Sequence, residues 1–100
     1  MLDDAISVSG KRVRLTAERW SHITEQHCEL AGWRDDVLET LSRPTRILCG
    51  GEGEQLAVRE VAEGKWLVVV YREGDADGFV ITAFLTRRLR SLERRKVLWP

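Results

Sequence analysis

At Pro44 the chain changes its hydrophobic period, and no other feature constrains its fold as much. Before Pro44 apolar residues recur at helical spacing; after it they alternate or run continuously as far as Thr86. Four strand-like segments follow in series: about Thr45 to Cys49, about eight residues within "EQLAVREVAEG", then "KWLVVVYRE" and "GFVITAFLT". Short turns join them, at "GGEGE", Glu63-Gly64 and "GDADG". Strands joined so tightly pair antiparallel, because a parallel return needs a long crossover. The continuous β-branched run of "KWLVVVYRE" marks it as a central strand buried on both faces.

Ahead of Pro44 the pattern is different. Ile6 to Leu15 form a short β element turned at Ser9-Gly10, with Val13 and Leu15 alternating with Arg12 and Arg14. Thr16 is placed to cap a helix running to about Glu29, and Gly32 suits a left-handed stop. A second helix runs from Trp33 or Arg34 to Leu41, with Asp35 and Asp36 in the first turn, where the helix dipole favours acids. Pro44 forces the chain out of helix by Arg43. The expected architecture is α+β: two N-terminal helices packed on a curved four-stranded antiparallel sheet, with a C-terminal basic helix at about 87–98. The chain is expected to be one domain over 1–100, with its core at about 13–86. Two helices cover one sheet face and leave the other as an open, concave surface.

Several classes fall away. The longest apolar run, Trp66 to Tyr71, is far short of the roughly 20 residues that span a bilayer. Met1-Leu2-Asp3-Asp4 is not the basic-then-apolar start of a signal peptide. Cys28 and Cys49 are too few for a disulfide framework and read as small buried hydrophobes. A cytoplasmic protein with no membrane partner is the expectation. The formal net charge is zero, but the charges are segregated. "RRLRSLERRK", from Arg87 to Lys96, carries six cations against Glu93, and Lys11, Arg12, Arg14 and Arg19 crowd near the front. If the fold brings these ends together, they would attract a polyanion. The same run also fits a solvated helix face or a grip on an acidic partner.

Strand alternation selects the residues of the open face. In the last strand Phe79, Ile81, Ala83 and Leu85 form an apolar set that should meet the helices, leaving Val80, Thr82, Phe84 and Thr86 on the other side. In the strand before, either Tyr71 or Arg72 faces the opening, and Arg59 is placed there one strand earlier. A groove holding Arg59, Tyr71 or Arg72, Thr82 and Thr86 would bind phosphate, since guanidinium presents a planar fork to its oxygens. Phe84 or Tyr71 would stack on a base. Arg87 and Arg88 extend the cationic surface.

Both histidines lie in "ERWSHITEQHCEL". At 100° per residue Trp20, Ile23, His27 and Leu30 share one stripe, while His22 points nearly the opposite way. RNA can be cleaved without metal when a base takes the 2′-OH proton, an acid protonates the leaving oxygen, and cations hold the phosphorane. His22 or His27, with Arg59 and Thr82, supply that list. A helical zinc pair would want a spacing of four rather than five, so no metal or other cofactor is expected.

The segments "LTAERWSHITEQHCEL", "VLETLSRPTRIL", "WLVVVYRE" and "GFVITAFLT", in that order, resemble phage-associated members of the barnase–EndoU–colicin–RelE-like nuclease superfamily, over about Leu15 to Thr86. Cys28 departs from that pattern, which has proline after the second histidine. The resemblance implies a metal-independent endoribonuclease, a toxin or phage effector acting on tRNA or mRNA, with an acidic inhibitor or antitoxin as partner. It points to His22, His27, Arg59, Tyr71, Arg72, Thr82 and Thr86. The alternative is a non-catalytic RNA- or protein-binding module of the same fold, and a third reading is a toxin acting on an enzyme.

Overall fold

The computed structural model describes residues 4–100. Met1 to Asp3, which bear on the signal-peptide reading, lie outside them.

The first helix, α1 (Ala17–Gln26), starts where the sequence says it should. The Thr16 Oγ1 accepts the Arg19 N–H at 3.1 Å. It ends earlier than expected, at His27, whose backbone leaves the helix (φ −131°, ψ 70°). One 3-10 turn, Cys28–Leu30, then carries Leu30 into the core. Gly32 follows with φ +85°, a conformation that side chains with a Cβ rarely adopt. Helix α2 (Arg34–Ser42) buries Val37, Leu38 and Leu41 and sets Asp35 and Asp36 in its first turn.

The sheet is larger and less regular than four antiparallel strands. It has seven, β1 (Asp4–Ile6), β2 (Arg12–Arg14), β3 (Arg46–Cys49), β4 (Gln55–Ala62), β5 (Lys65–Glu73), β6 (Asp77–Thr86) and β7 (Val97–Trp99), in the order β1-β2-β6-β5-β4-β3-β7. The meander β3 to β6 is antiparallel, as short turns require. The correction comes at its two edges. An exposed strand edge carries a row of unpaired N–H and C=O groups. The N-terminal hairpin β1–β2 closes one edge, with β2 parallel to β6 through Arg12↔Asp77 to Arg14↔Phe79. That parallel pair is permitted because two helices and three strands lie between its members. At the other edge the chain end returns as β7 and pairs with β3. The C-terminal helix is correspondingly short: α3 spans only Arg90–Glu93.

Alternation holds in β4 and β5 and breaks in β6. Leu67, Val69 and Tyr71 of β5 join Ala57 of β4 and Val13, Leu15, Ile23, Leu30, Val37 and Leu41 in the main core, under α1 and α2. Val68 and Val70, Leu56 and Val58, and Leu48 form a second cluster on the other face. In β6 the register shifts: Val70 pairs with Thr82 but Tyr71 pairs with Val80, leaving Ile81 as the extra residue of a bulge. Beyond the bulge the faces exchange. Ala83 and Leu85 meet the helices as expected, but so does Val80, while Phe79 is exposed. At Gly78 the β5 backbone comes so close that an added Cβ would stand 2.4 Å from the Arg72 carbonyl oxygen.

The second face is not left open across its width. Leu89 and buried Leu92, from the segment between β6 and β7, lie over Leu48, Leu56, Val58 and Val68. Only the β6 side of this face, with Thr82, Phe84, Thr86, Trp66 and Val70, is half-exposed. Among the described residues no helix is long and apolar enough to cross a membrane.

Candidate nucleic-acid interface

The residues singled out from the sequence do not all meet. His27 sits where α1 breaks, beside the length of β6 that β2 does not reach, and its ring centroid is 6.1 Å from that of Phe84. Its Nδ1 lies 3.6 Å from Glu29 Oε1, and the side chain is one-third exposed. Glu29 also lines a cleft of about 210 Å³ together with Lys65, Leu85, Thr86 and Arg87. Lys65 is anchored over the Trp33 ring at 5.4 Å. Thr82, Phe84 and Thr86 share one face of β6, and the Thr86 Oγ1 accepts the Arg88 N–H at 3.0 Å, which turns the chain into its basic segment. His27 therefore lies beside Phe84 and, through Glu29, adjoins the cleft formed by Lys65, Thr86 and Arg87.

His22 is elsewhere. It projects from the exposed side of α1, 4.0 Å from Glu18 one turn back.

Arg59 occupies the face opposite to the one expected. It shares the helix side of β4 with Ala57 and Val61, and α2 holds it there. Its Nε donates to Thr40 Oγ1 at 3.2 Å, its Nη2 to the Asp36 carbonyl and carboxylate at 3.4 and 3.3 Å, and its Nη1 lies 3.6 Å from Glu39. The buried Thr40 hydroxyl in turn donates to the Asp36 carbonyl at 2.7 Å. The physical reason is charge. The first and second turns of α2 present carboxylates above this strand position.

Tyr71 is also withdrawn. It is fully buried in the main core, and its hydroxyl has no hydrogen-bond partner there. Burial, with a lesser contribution from the Glu73 charge, pushes its pKa well above the usual tyrosine value. Of the two possibilities for β5, Arg72 is the one on the face away from the helices. It is engaged, donating to the Glu52 carbonyl at 3.0 Å and standing 3.7 Å from Glu54. The Glu52 N–H, then the N–H of Glu54 itself and the Arg72 charge, hold the Glu54 carboxyl below its ordinary range.

The basic segment is different. The guanidinium groups of Arg87, Arg88, Arg90 and Arg94 have no acidic partner among the described residues, and all four side chains are exposed. Arg95 donates to the Cys49 carbonyl at 3.3 Å. Among the described residues no group of three or more His, Cys, Asp and Glu side chains is placed to hold a metal ion.

The chain matches no family model, no curated protein and no solved structure. Its own geometry must carry the functional reading.

Two residues of this edge, Glu29 and Lys65, were missed by the sequence argument. Two positions apart on a continuous helix, His27 and Glu29 would diverge by about 200°. They meet because the helix breaks between them, and nothing in "QHCEL" announces that break. Lys65 opens a buried strand, a position the periodicity treats as a boundary.

Proposed function

We propose that this chain binds single-stranded RNA along the β6 edge and cleaves it there without a metal, with His27 as the proton carrier. The reading is supported by one observation above the rest: His27, backed by Glu29 and packed beside Phe84, adjoins the point where a run of unpaired arginines leaves the sheet. Phe84 gives a base a stacking face, and exposed guanidiniums draw the phosphate backbone toward it. Glu29 orients the Nδ1 side of the ring and leaves Nε2 for a ribose hydroxyl. The step is a transesterification. The 2′-OH gives its proton to His27 as its oxygen bonds to phosphorus. The P–O5′ bond then breaks, leaving a 2′,3′-cyclic phosphate, and O5′ takes up a proton from the His27 imidazolium. Arg87 and Lys65 offset the charge on the phosphoryl oxygens. Arg59 and Tyr71 have no part in it, being committed to α2 and to the core.

A second reading keeps the same surface and drops the cleavage. It is favoured by the commitment of Arg59 and Tyr71, which leaves one imidazole and the cations Lys65 and Arg87 at the edge. Incubating several RNAs, tRNA and mRNA among them, with the protein in excess EDTA separates the two. Cleavage leaving cyclic phosphate ends, lost in His27→Ala and retained in His22→Ala, is the expected result. Salt-sensitive RNA binding without cleavage would establish the second reading, and absence of both would remove the proposal.

A further inference from the structure

A second polar constellation lies at the other end of the helix-side face, away from the β6 edge. Glu73, the last residue of β5, is held by three donors. Ser7 and Ser9, from the loop of the β1–β2 hairpin, donate their hydroxyls to its Oε2, the latter at 2.7 Å. Gln55 of β4 donates its Nε2 to Oε1 at 3.2 Å. Ser7 is itself buried, one of only two buried polar residues among those described. The Tyr71 hydroxyl, buried and unpartnered, lies close enough to feel the same carboxylate.

This carboxylate is not sealed in. It lines a pocket of about 330 Å³ between the hairpin loop and the C-terminal strand, and Val8, Leu98 and Trp99 form the apolar walls. Those three are among the few large hydrophobic side chains left exposed, at 37, 46 and 40%. Lys11 of the hairpin is turned to the Gly74 carbonyl at 2.7 Å and does not line the pocket. A negative charge fixed by hydrogen bonds, with an aromatic ring and aliphatic walls around it, is complementary to a cation on an apolar stem.

We propose that this pocket is a docking site for an arginine or lysine side chain of a partner polypeptide, with Glu73 receiving the charged head and Val8, Leu98 and Trp99 the stem and its apolar neighbours. Gln55 and the two serines set the carboxylate in place and prevent it from folding away. The exposed apolar rim is the reason for a polypeptide rather than a free amine: residues flanking the cation would cover it. The site is independent of the RNA-binding edge, and neither proposal requires the other.

The test is a titration of the full chain followed by NMR at the Trp99 indole N–H and the Gln55 side-chain amide. The probes are acetyl-arginine amide, its neutral isostere acetyl-citrulline amide, and the tripeptide acetyl-Leu-Arg-Leu-amide. Saturable shifts with acetyl-arginine amide in the millimolar range, at least about tenfold weaker with the citrulline probe, are expected. The tripeptide should bind at least about fivefold more tightly than the single residue. Glu73→Gln should weaken the arginine probe about tenfold, and Trp99→Leu, at an exposed position, several-fold. Equal binding of the citrulline and arginine probes, or absence of saturable shifts with either arginine probe, would overturn the site. Equal affinity for the single residue and the tripeptide would overturn the polypeptide assignment. If Glu73→Gln does not fold, the citrulline comparison and Trp99→Leu still decide the matter.

Discussion

Replacing Tyr71 with phenylalanine should stabilise the fold, and increasingly so in alkali. The hydroxyl is fully buried and has no partner, so it forfeits its hydrogen bonds to water on folding. A buried unsatisfied polar group costs about 1–3 kcal/mol. Tyr71→Phe should recover about that at neutral pH. For a chain of this length, each kcal/mol raises the melting temperature by about 4–8 °C. The pH dependence has a definite sign. The folded protein holds the phenol proton well above the usual tyrosine pKa of about 10, because burial penalises the phenolate. The unfolded chain releases it near 10. The folded state therefore binds more protons above pH 10, and wild-type stability falls there as pH rises. At pH 11 the unfolded tyrosine is about ten-to-one ionised, which amounts to about 1.4 kcal/mol lost by the wild type and not by the variant. Urea unfolding of both proteins at pH 8, 10 and 11 measures the gap between them. Tyr71 is the single tyrosine of the chain, so absorbance at the phenolate band reports its ionisation directly. A gap that stays constant from pH 8 to 11, or a phenolate signal titrating near 10 in the folded protein, would refute the reasoning.

Other substitutions separate structural from functional roles. Arg59→Ala should cost about 1–2 kcal/mol in urea unfolding, because it removes the half-buried guanidinium that ties β4 to Thr40, Asp36 and Glu39 of α2, and should leave RNA binding unchanged. Arg87→Ala with Arg88→Ala should flatten the dependence of log affinity for single-stranded RNA on log salt by about 0.7 per lost phosphate contact, measured by fluorescence anisotropy. Leu92→Ala should destabilise the chain by about 2–4 kcal/mol in thermal unfolding, since it uncovers Leu48, Leu56, Val58 and Val68. For this reason the role of the basic segment is better tested by replacing its arginines than by deleting it.

The meander was legible because its signals are local. Alternation and short turns give β3 to β6 and their antiparallel order, and Thr16 and the Val37, Leu38, Leu41 stripe give the two helices. The edges were not legible, because β2–β6 and β3–β7 join segments some 50 or more residues apart through backbone hydrogen bonds, which leave no mark on side-chain pattern. The site was half legible. The helical stripe puts His27 on the inner side and His22 on the outer, as found. The Ile81 bulge could not be read, since one inserted residue reverses Phe79 and Val80 without changing composition. Arg59 was misplaced for another reason: parity gives two faces but not which one α2 covers with carboxylates.

The central claim is one of place, and it can be mapped directly. A single-stranded oligonucleotide with 2′-deoxyribose at every position cannot undergo transesterification, so the bound complex persists. Titrated into labelled protein, it should shift the His27 and Phe84 ring signals, Thr86 and the Arg87 side chain, and leave His22 and Arg59 where they are. Shifts centred instead on α2 around Arg59, or on the outer side of α1 around His22, would contradict the account.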